Sequence, residues 1–177
     1  MIDCPGSLLV IGGARSGKSR YGQRCAEKSG RKPVLIATAE AGDAEMAARI
    51  AAHKAARPPY WRVIEEPLDL ARTLRRQTSE QNILLIDCLT LWLSNVLHAG
   101  RDPEEETASL LEAMGEMKGP TIFISNEVGL GIVPDNPLGR SFRDAQGRLN
   151  QKIAESCESV VFVAAGLPLK LKPSSPA

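Results

Sequence analysis

Residues 12–19, GGARSGKS, combine glycines, a lysine and a hydroxyl in the spacing G-x-x-x-x-G-K-S. Gly12, Gly13 and Gly17 allow a loop whose backbone N–H groups point at phosphate oxygens, and a helix that starts after the loop adds the positive end of its dipole. Lys18 would contact the outer phosphates, and the Ser19 hydroxyl would bind Mg²⁺. The motif therefore predicts a site for a nucleoside triphosphate.

A second metal ligand is predicted at Asp87, which directly follows the apolar run 83–86. A carboxylate that ends a buried strand holds Mg²⁺ in NTPases with such a loop. An aspartate in this position is otherwise a turn or cap residue, and the phosphate-binding motif upstream favours the metal role.

Residues 43–59, DAEMAARIAAHKAARPP, are alanine-rich, begin with acids and end at two prolines, so they predict a helix. His53 lies four residues from both Arg49 and Arg57, and side chains at that spacing share a helix face. The guanidinium groups favour an anion nearby and also favour the neutral imidazole, which can act as a nucleophile. A surface or capping histidine is the alternative that these residues leave open.

Residues 126–134, NEVGLGIVP, follow the apolar run 121–125. Ligands of open α/β sheets bind at the carboxyl ends of the strands, so this segment is either a substrate loop or an ordinary glycine-rich connection. His98, at the end of an apolar helix, is interpreted as a capping cation, and Trp61 as a core or hinge residue.

The elements that must position these residues follow from hydrophobic periodicity. Short apolar runs at 8–11, 34–37, 83–86, 121–125 and 160–164 alternate with helical patterns, which indicates a parallel sheet covered on both faces. Residues 168–172 alternate like an edge strand. We therefore predict an α/β fold, a P-loop NTPase (RecA-like) three-layer sandwich with a mainly parallel sheet and an antiparallel C-terminal edge strand. We expect one domain over 1–173 and a disordered tail over 174–177.

Two helices have clear signals. One begins after the N-cap candidate Asp102, with Pro103 and three glutamates in its first turn. The other covers 138–157, and its two predicted faces differ in polarity. The buried face comprises Leu138, Phe142, Ala145, Leu149, Ile153 and Cys157, and the polar face Arg140, Arg143, Asp144, Arg148 and Asn150.

Charge, cysteine spacing and the length of the apolar segments argue against several classes of function. The chain has 22 Lys+Arg and 21 Asp+Glu, and it carries no basic stripe with interleaved aromatic residues, which argues against nucleic-acid binding. The cysteines at 4, 25, 88 and 157 are far apart and match no zinc spacing, so we expect reduced thiols in a cytoplasmic protein. No segment fits a signal peptide or a membrane span, so we expect no membrane insertion.

Several stretches together closely resemble one family, the bifunctional adenosylcobinamide kinase and adenosylcobinamide-phosphate guanylyltransferase of cobalamin (vitamin B12) biosynthesis. The stretches are GGARSGKS, EMAARIAAHKAARPPYW, IDCLTLWLSN, SNEVGLGIVP and RSFRDAQGRLNQ, and the similarity runs from about residue 8 to 172. The resemblance implies that ATP or GTP phosphorylates adenosylcobinamide. GTP then gives GMP to that phosphate through a guanylyl-histidine, which yields adenosylcobinamide-GDP.

The resemblance also implies roles for individual residues. His53 is the guanylylated nucleophile; Ala52 precedes it where some relatives have a second histidine. For the kinase step, the phosphate-loop motif and the strand end, rather than the resemblance, predict Lys18 as a catalytic residue and Ser19 and Asp87 as Mg²⁺ ligands, and Asp87 and Glu127 are the two candidates for orienting the substrate alcohol. The implied contacts to GTP are Gly12, Gly13, Ala14, Arg15, Ser16, Gly17, Lys18, Ser19, Ala37, Thr38, Ala39, Lys54, Ala55, Ala56, Arg57, Glu65 and Asp87.

The implied partners are adenosylcobinamide and its phosphate, together with further copies of the chain in a homo-oligomer, a trimer in this family. Two other functions compete with this reading. One is a simple P-loop small-molecule kinase without a covalent intermediate, and the other is a RecA-like nucleotide-sensing or nucleic-acid-binding module.

Overall fold

Parallel strands form the centre of the molecule. The computed structural model describes residues 6–40 and 58–173, and in these ranges seven strands form one sheet in the order β3-β2-β4-β5-β1-β6-β7. The strands are β1 Ser7–Gly12, β2 Lys32–Ala37, β3 Arg62–Glu65, β4 Asn82–Asp87, β5 Thr121–Asn126, β6 Ser159–Ala164 and β7 Leu167–Lys172. All neighbouring pairs are parallel except β6 and β7, which are antiparallel. The predicted sheet and its antiparallel edge strand are confirmed.

Helices cover both faces of this sheet. They are α1 Lys18–Lys28, α2 Leu70–Gln77, α3 Leu89–His98, α4 Pro103–Gly115 and α5 Pro137–Ser156. Cys25 and Ala26 of α1 pack on one face together with Leu85 and Ile124. The other helices pack on the opposite face, where Phe123 is fully buried. The three-layer arrangement therefore follows from strands that are apolar on both sides.

Local signals predicted the helix ends well. The Asp102 carboxylate accepts a hydrogen bond from the Glu104 N–H at 2.8 Å, and Pro103 is the first helical residue of α4. His98 is the last residue of α3, and its Nδ1 lies 2.7 Å from the Ser94 carbonyl oxygen. Trp61 is buried and its Nε1 donates to Glu27 at 3.3 Å, so it is a core residue.

Two predicted positions on α5 are wrong. Leu138, expected in the core, is 76% exposed, because α5 packs on the core cluster only from Phe142 onward. Asn150, expected on the polar face, is only 7% exposed, because its amide is hydrogen-bonded to polar groups of β5 beneath the helix. Periodicity assigned both residues to the wrong environment, since it carries no information on where the sheet ends or which polar groups it presents.

The sequence did not predict β3 or α2. β3 has four residues, and its only apolar ones are Val63 and Ile64, so it has no recognisable apolar run. It forms because its backbone pairs with β2, which is a tertiary contact. Among the helices that the structure describes, none has an apolar stretch long enough to cross a membrane.

Several sequence predictions lie outside the described residues. They include the helix over 43–59 for most of its length, His53 with Lys54, Ala55, Ala56 and Arg57, Cys4, and the tail 174–177. The other three cysteines, Cys25, Cys88 and Cys157, are free thiols and buried, as expected.

Candidate nucleotide-binding site

The loop between β1 and α1 has the geometry of a phosphate cradle. Gly17, the N-cap of α1, has φ +98°, a left-handed conformation that costs a glycine little. A side chain at Gly12 would overlap the Val163 carbonyl oxygen, and one at Gly17 would approach the Gly166 Cα to 3.2 Å. A Cβ at Gly13 would instead meet open space. The loop is thus closed on the side of the sheet and open where a ligand can approach the N-terminus of α1.

The turn between β6 and β7 holds this loop in place. The Gly166 N–H donates to the Ser16 carbonyl oxygen at 2.8 Å, and both turn residues, Ala165 and Gly166, have positive φ. The Ser16 hydroxyl oxygen is buried and has no hydrogen-bond partner in the described part of the chain. A loop that is tied down in this way presents its N–H groups without first having to order itself, which favours anion binding.

Lys18 and Ser19 begin α1 on the ligand side of the loop. Lys18 is 8% exposed, and its Nζ donates to the Gly13 carbonyl oxygen at 3.0 Å, so the ammonium group lies along the loop. The Ser19 hydroxyl donates to Oδ1 of Asp87 at 3.3 Å. The structure therefore brings together the two predicted Mg²⁺ ligands, which are 68 residues apart in sequence.

The Ser19 hydroxyl and the Asp87 carboxylate suit a Mg²⁺ ion that is bound together with a nucleotide. A hydroxyl and a carboxylate offer the oxygen ligands that this ion prefers, and Mg²⁺ commonly takes one or two protein ligands plus phosphate oxygens and water. In the ranges 6–40 and 58–173, no group of three or more His, Cys, Asp or Glu residues could hold a metal ion by itself. The Ser19 hydroxyl and the Asp87 carboxylate could therefore supply only part of a Mg²⁺ coordination shell, and a nucleotide and water would have to supply the rest.

The ends of β2 and β3 lie at the same edge of the sheet. Ala37 is in register with both Asp87 on β4 and Glu65 on β3, and Glu65 is exposed. Thr38 is fully buried; its hydroxyl donates to the Cys88 carbonyl oxygen at 2.7 Å and accepts from the Cys88 N–H at 2.8 Å. Thr38 thus connects the ends of β2 and β4. Because its hydroxyl is already engaged, any contact of residues 37–39 to GTP would use the backbone or a neighbouring side chain.

The segment after β5 starts beside the phosphate loop. The Glu127 N–H donates to the Gly12 carbonyl oxygen at 3.1 Å, and Oε1 of Glu127 accepts from the Gly129 N–H at 2.6 Å. Beyond Gly129 the loop exposes Leu130, Ile132 and Val133. A carboxylate and an apolar surface therefore adjoin the phosphate cradle.

Sequence reasoning missed a buried polar network beneath this edge. Gln146 Nε2 donates to the Ser125 hydroxyl at 2.9 Å, and the Ser125 hydroxyl donates to Asn150 Oδ1 at 2.6 Å. Asn150 Nδ2 donates in turn to the Asn126 carbonyl oxygen at 3.0 Å. The available signal was a pair of amides one turn apart on α5, together with polar residues at the end of an otherwise apolar strand.

Cys88 follows Asp87 directly but is not a nucleophile at neutral pH. Burial, with a smaller contribution from the negative charge of Asp87, raises the pKa of Cys88 from 9.0 to about 11. The thiol therefore stays protonated, and the reactive groups of this edge are hydroxyl, carboxylate, ammonium and amide.

Comparison with known proteins agrees with this geometry. Residues 8–171 match the family described as cobinamide kinase / cobinamide phosphate guanyltransferase. The bifunctional adenosylcobalamin biosynthesis protein CobP of Pseudomonas aeruginosa is 53% identical over 93% of this chain and 96% of its own length. The corresponding protein CobU of Escherichia coli is 36% identical over 93% of this chain and 99% of its own length.

Comparison with solved structures supports the fold. An ATPase from the type III secretion system of pathogenic bacteria has a TM-score of 0.58 and 13% identity, over 93% of this chain and 56% of that one. At this identity the likeness shows the fold alone. The fold is the one predicted, that of a RecA-like P-loop NTPase.

Proposed function

The chain belongs to the cobinamide kinase / cobinamide phosphate guanyltransferase family, and on this premise we propose that it catalyses both reactions on the adenosylated substrate. It phosphorylates adenosylcobinamide with ATP or GTP and then transfers GMP from GTP to that phosphate, which gives adenosylcobinamide-GDP. One observation carries the proposal: the family match covers the phosphate loop, Asp87 and His53 within a single chain.

The kinase step uses the groups at the sheet edge. The substrate hydroxyl oxygen attacks the γ-phosphorus, the bond from that phosphorus to the β–γ bridging oxygen breaks, and the hydroxyl proton leaves. Lys18 and the loop N–H groups stabilise the charge on the phosphoryl oxygens. Ser19 and Asp87 hold Mg²⁺, which when bound neutralises charge on the outer phosphates.

Of the two carboxylates considered for the substrate alcohol, we favour Glu127. Asp87 already accepts a hydrogen bond from the Ser19 hydroxyl at 3.3 Å, which supports assigning it to the proposed Mg²⁺ site instead. Glu127 lies on the next strand end, and its position is set by hydrogen bonds to Gly12 and Gly129. Glu127 orients the alcohol and accepts its proton.

The guanylyl transfer takes place in two displacements through His53. An imidazole nitrogen attacks the α-phosphorus of GTP, an N–P bond forms, and pyrophosphate leaves. A phosphate oxygen of adenosylcobinamide phosphate then attacks the same phosphorus, a P–O–P linkage forms, and the N–P bond breaks to restore the histidine. His53 lies outside the described residues, so its role rests on the family resemblance and on the neighbouring arginines in the sequence.

The remaining proposals rest only partly on the same resemblance. The GTP contacts and the homo-oligomer come from it, whereas the single domain follows from the length of the chain and the cytoplasmic location from its cysteines. GTP is contacted by 12–19, Ala37 to Ala39, Lys54 to Arg57, Glu65 and Asp87. The chain forms one domain over 1–173, acts in the cytoplasm, and assembles as a homo-oligomer, a trimer.

The covalent intermediate can be tested directly. Purified protein is incubated with Mg²⁺ and GTP labelled in the α-phosphate, and the denatured chain is assayed for acid-labile, base-stable label. We expect label on the wild type and none on His53→Ala. His98→Ala is the matched control, since His98 is exposed at the end of α3 and bonded only to Ser94 among the described residues.

Other outcomes would separate the competing functions. No label on any protein, in samples shown to bind GTP, would leave the simple P-loop kinase as the better function. Label on both histidine variants would move the nucleophile to another residue.

A further inference from the structure

The backbone of Asn126, the last residue of β5, is held on two sides by side chains. Its N–H donates to the Thr90 hydroxyl at 2.8 Å, and its carbonyl oxygen accepts from Asn150 Nδ2 at 3.0 Å. Asn150 is itself fixed by Ser125 and Gln146 in the buried network. These contacts fix the position from which the Asn126 side chain leaves the sheet.

The pleat of β5 places that side chain on the face of the phosphate loop. Ile122 and Ile124 face α1, because a Cβ at Gly22 of that helix would meet both of them within 3.4 Å. Side chains alternate along a strand, so Asn126 shares this face. It is in register with Gly12, where the phosphate loop begins.

Asp87 lies on the same face of the neighbouring strand. Leu85 contacts the same Gly22 position, so the pleat of β4 directs Asp87 toward α1 as well, where it meets Ser19. Because β5 lies between β1 and β4, Asn126 ends the strand between Gly12, where the phosphate loop begins, and Asp87. The Asn126 side chain therefore leaves the sheet on the face and at the edge where Lys18 and Asp87 would meet the outer phosphates.

The Asn126 amide is available for a ligand. It is half-buried and makes no side-chain hydrogen bond to any residue in the described ranges. An amide presents two N–H donors without charge, whereas the neighbouring carboxylates of Asp87 and Glu127 can only accept and would repel a phosphoryl group. Donors fixed before the reaction stabilise charge that develops in the transition state.

We infer that Asn126 is a catalytic residue of the kinase step and donates a hydrogen bond to the terminal phosphoryl group of the nucleoside triphosphate. This inference rests on the proposed use of the phosphate loop for phosphoryl transfer. It makes Asn126 the group by which the site distinguishes a triphosphate from a diphosphate.

Binding of GDP and of a β,γ-imido analogue of GTP tests the inference by titration calorimetry. Because the α-phosphorus of this analogue can still be attacked by His53, all the proteins compared in this way carry His53→Ala. We expect Asn126→Ala to weaken binding of the analogue on the order of tenfold and to leave the affinity for GDP within about twofold. Asn126→Ser, which keeps one donor, should fall between the wild type and the alanine variant. Both variants should fold, because the contacts to Thr90 and Asn150 use the Asn126 backbone.

Kinetics give a second readout. The kcat of adenosylcobinamide phosphorylation should fall by at least about tenfold in Asn126→Ala. Labelling of the chain by saturating GTP should fall much less, because attack at the α-phosphorus does not move the terminal phosphoryl group. Asn82→Ala is the matched control, since Asn82 begins β4 at the opposite edge of the sheet.

The results can distinguish a failure of the inference about Asn126 from a failure of the proposed function. If the wild type binds the analogue and Asn126→Ala keeps the same preference over GDP, Asn126 is not a phosphoryl contact, while the proposed function stands. If the wild type binds neither nucleotide, the phosphate-loop function itself fails. A loss of GDP and analogue binding to the same extent would indicate a structural role and overturn the inference.

Discussion

Replacing Asn150 by leucine removes the centre of the buried network under the site. Leucine has the same number and branching of side-chain heavy atoms as asparagine but no polar group, so the change is aimed mainly at the polar contacts. Asn150 accepts from Ser125 and Gln146 and donates to the Asn126 carbonyl oxygen, at 2.6, 3.0 and 3.0 Å. Asn150→Leu ends all three contacts in an environment that is buried from water.

The expected loss of stability follows from these contacts. Each hydrogen bond contributes about 1 kcal/mol, and a buried polar group left without a partner costs about 1–3 kcal/mol. The Asn126 carbonyl oxygen loses its contact and the Ser125 hydroxyl loses its acceptor, so we expect the free energy of unfolding to fall by about 2–4 kcal/mol. The control Asn82→Leu removes one hydrogen bond, from Nδ2 to the Gln77 carbonyl oxygen, and should cost only about 1 kcal/mol.

Urea unfolding followed by tryptophan fluorescence measures this loss, since Trp61 and Trp92 are both buried. Chain concentration is held fixed, because assembly changes apparent stability. Adding Gln146→Leu removes a second member of the network, so the double variant should cost at least about 1 kcal/mol less than the sum of the single variants. Two results would refute the view that Asn150 and Gln146 act as one unit. One is a loss of stability in Asn150→Leu smaller than that in Asn82→Leu, at an unchanged m value. The other is a double variant whose loss of stability equals the sum of the losses in the two single variants.

Two further predictions concern the phosphate loop and the cysteine beside Asp87. Gly17→Ala should abolish GTP binding in calorimetry, because φ is +98° and the new Cβ would approach the Gly166 backbone to 3.2 Å; unchanged affinity would show that the loop can relax. Since the folded pKa of Cys88 is raised from 9.0 to about 11, its contribution to stability is present below pH 9 and is lost between pH 9 and 11. The melting temperature should fall over that range, and less steeply in Cys88→Ala; equal slopes would contradict the assigned cause.

Local patterns were enough for much of the fold. The strands at 8–11, 83–86 and 121–125 were predicted within one or two residues of their bounds, because a strand covered on both faces is a continuous apolar run. Asp102 and Pro103 predicted the start of α4 correctly, because an N-cap side chain forms its hydrogen bond within the first turn of its own helix. β3 had no such signal, because only pairing with β2 makes it a strand.

Some parts of the candidate site could likewise be predicted from the sequence, and others could not. The sequence by itself determined the phosphate loop, because the cradle is built from eight consecutive residues whose backbone conformation depends on glycine at set positions. It also indicated Asp87, since a strand end is visible in the sequence. The role of His53 came from the sequence and its family resemblance, and it stays a prediction.

Only the tertiary structure decided which distant groups meet at that loop. The order β4-β5-β1 brings Asp87 to Ser19 and places Asn126 on the strand between those of Asp87 and Gly12, and the turn after β6 ties Gly166 to Ser16. The network of Ser125, Gln146 and Asn150 likewise joins β5 to α5. Strand order and register depend on how whole elements pack, and no local pattern of residue types encodes them, so these contacts could be found only in the folded chain.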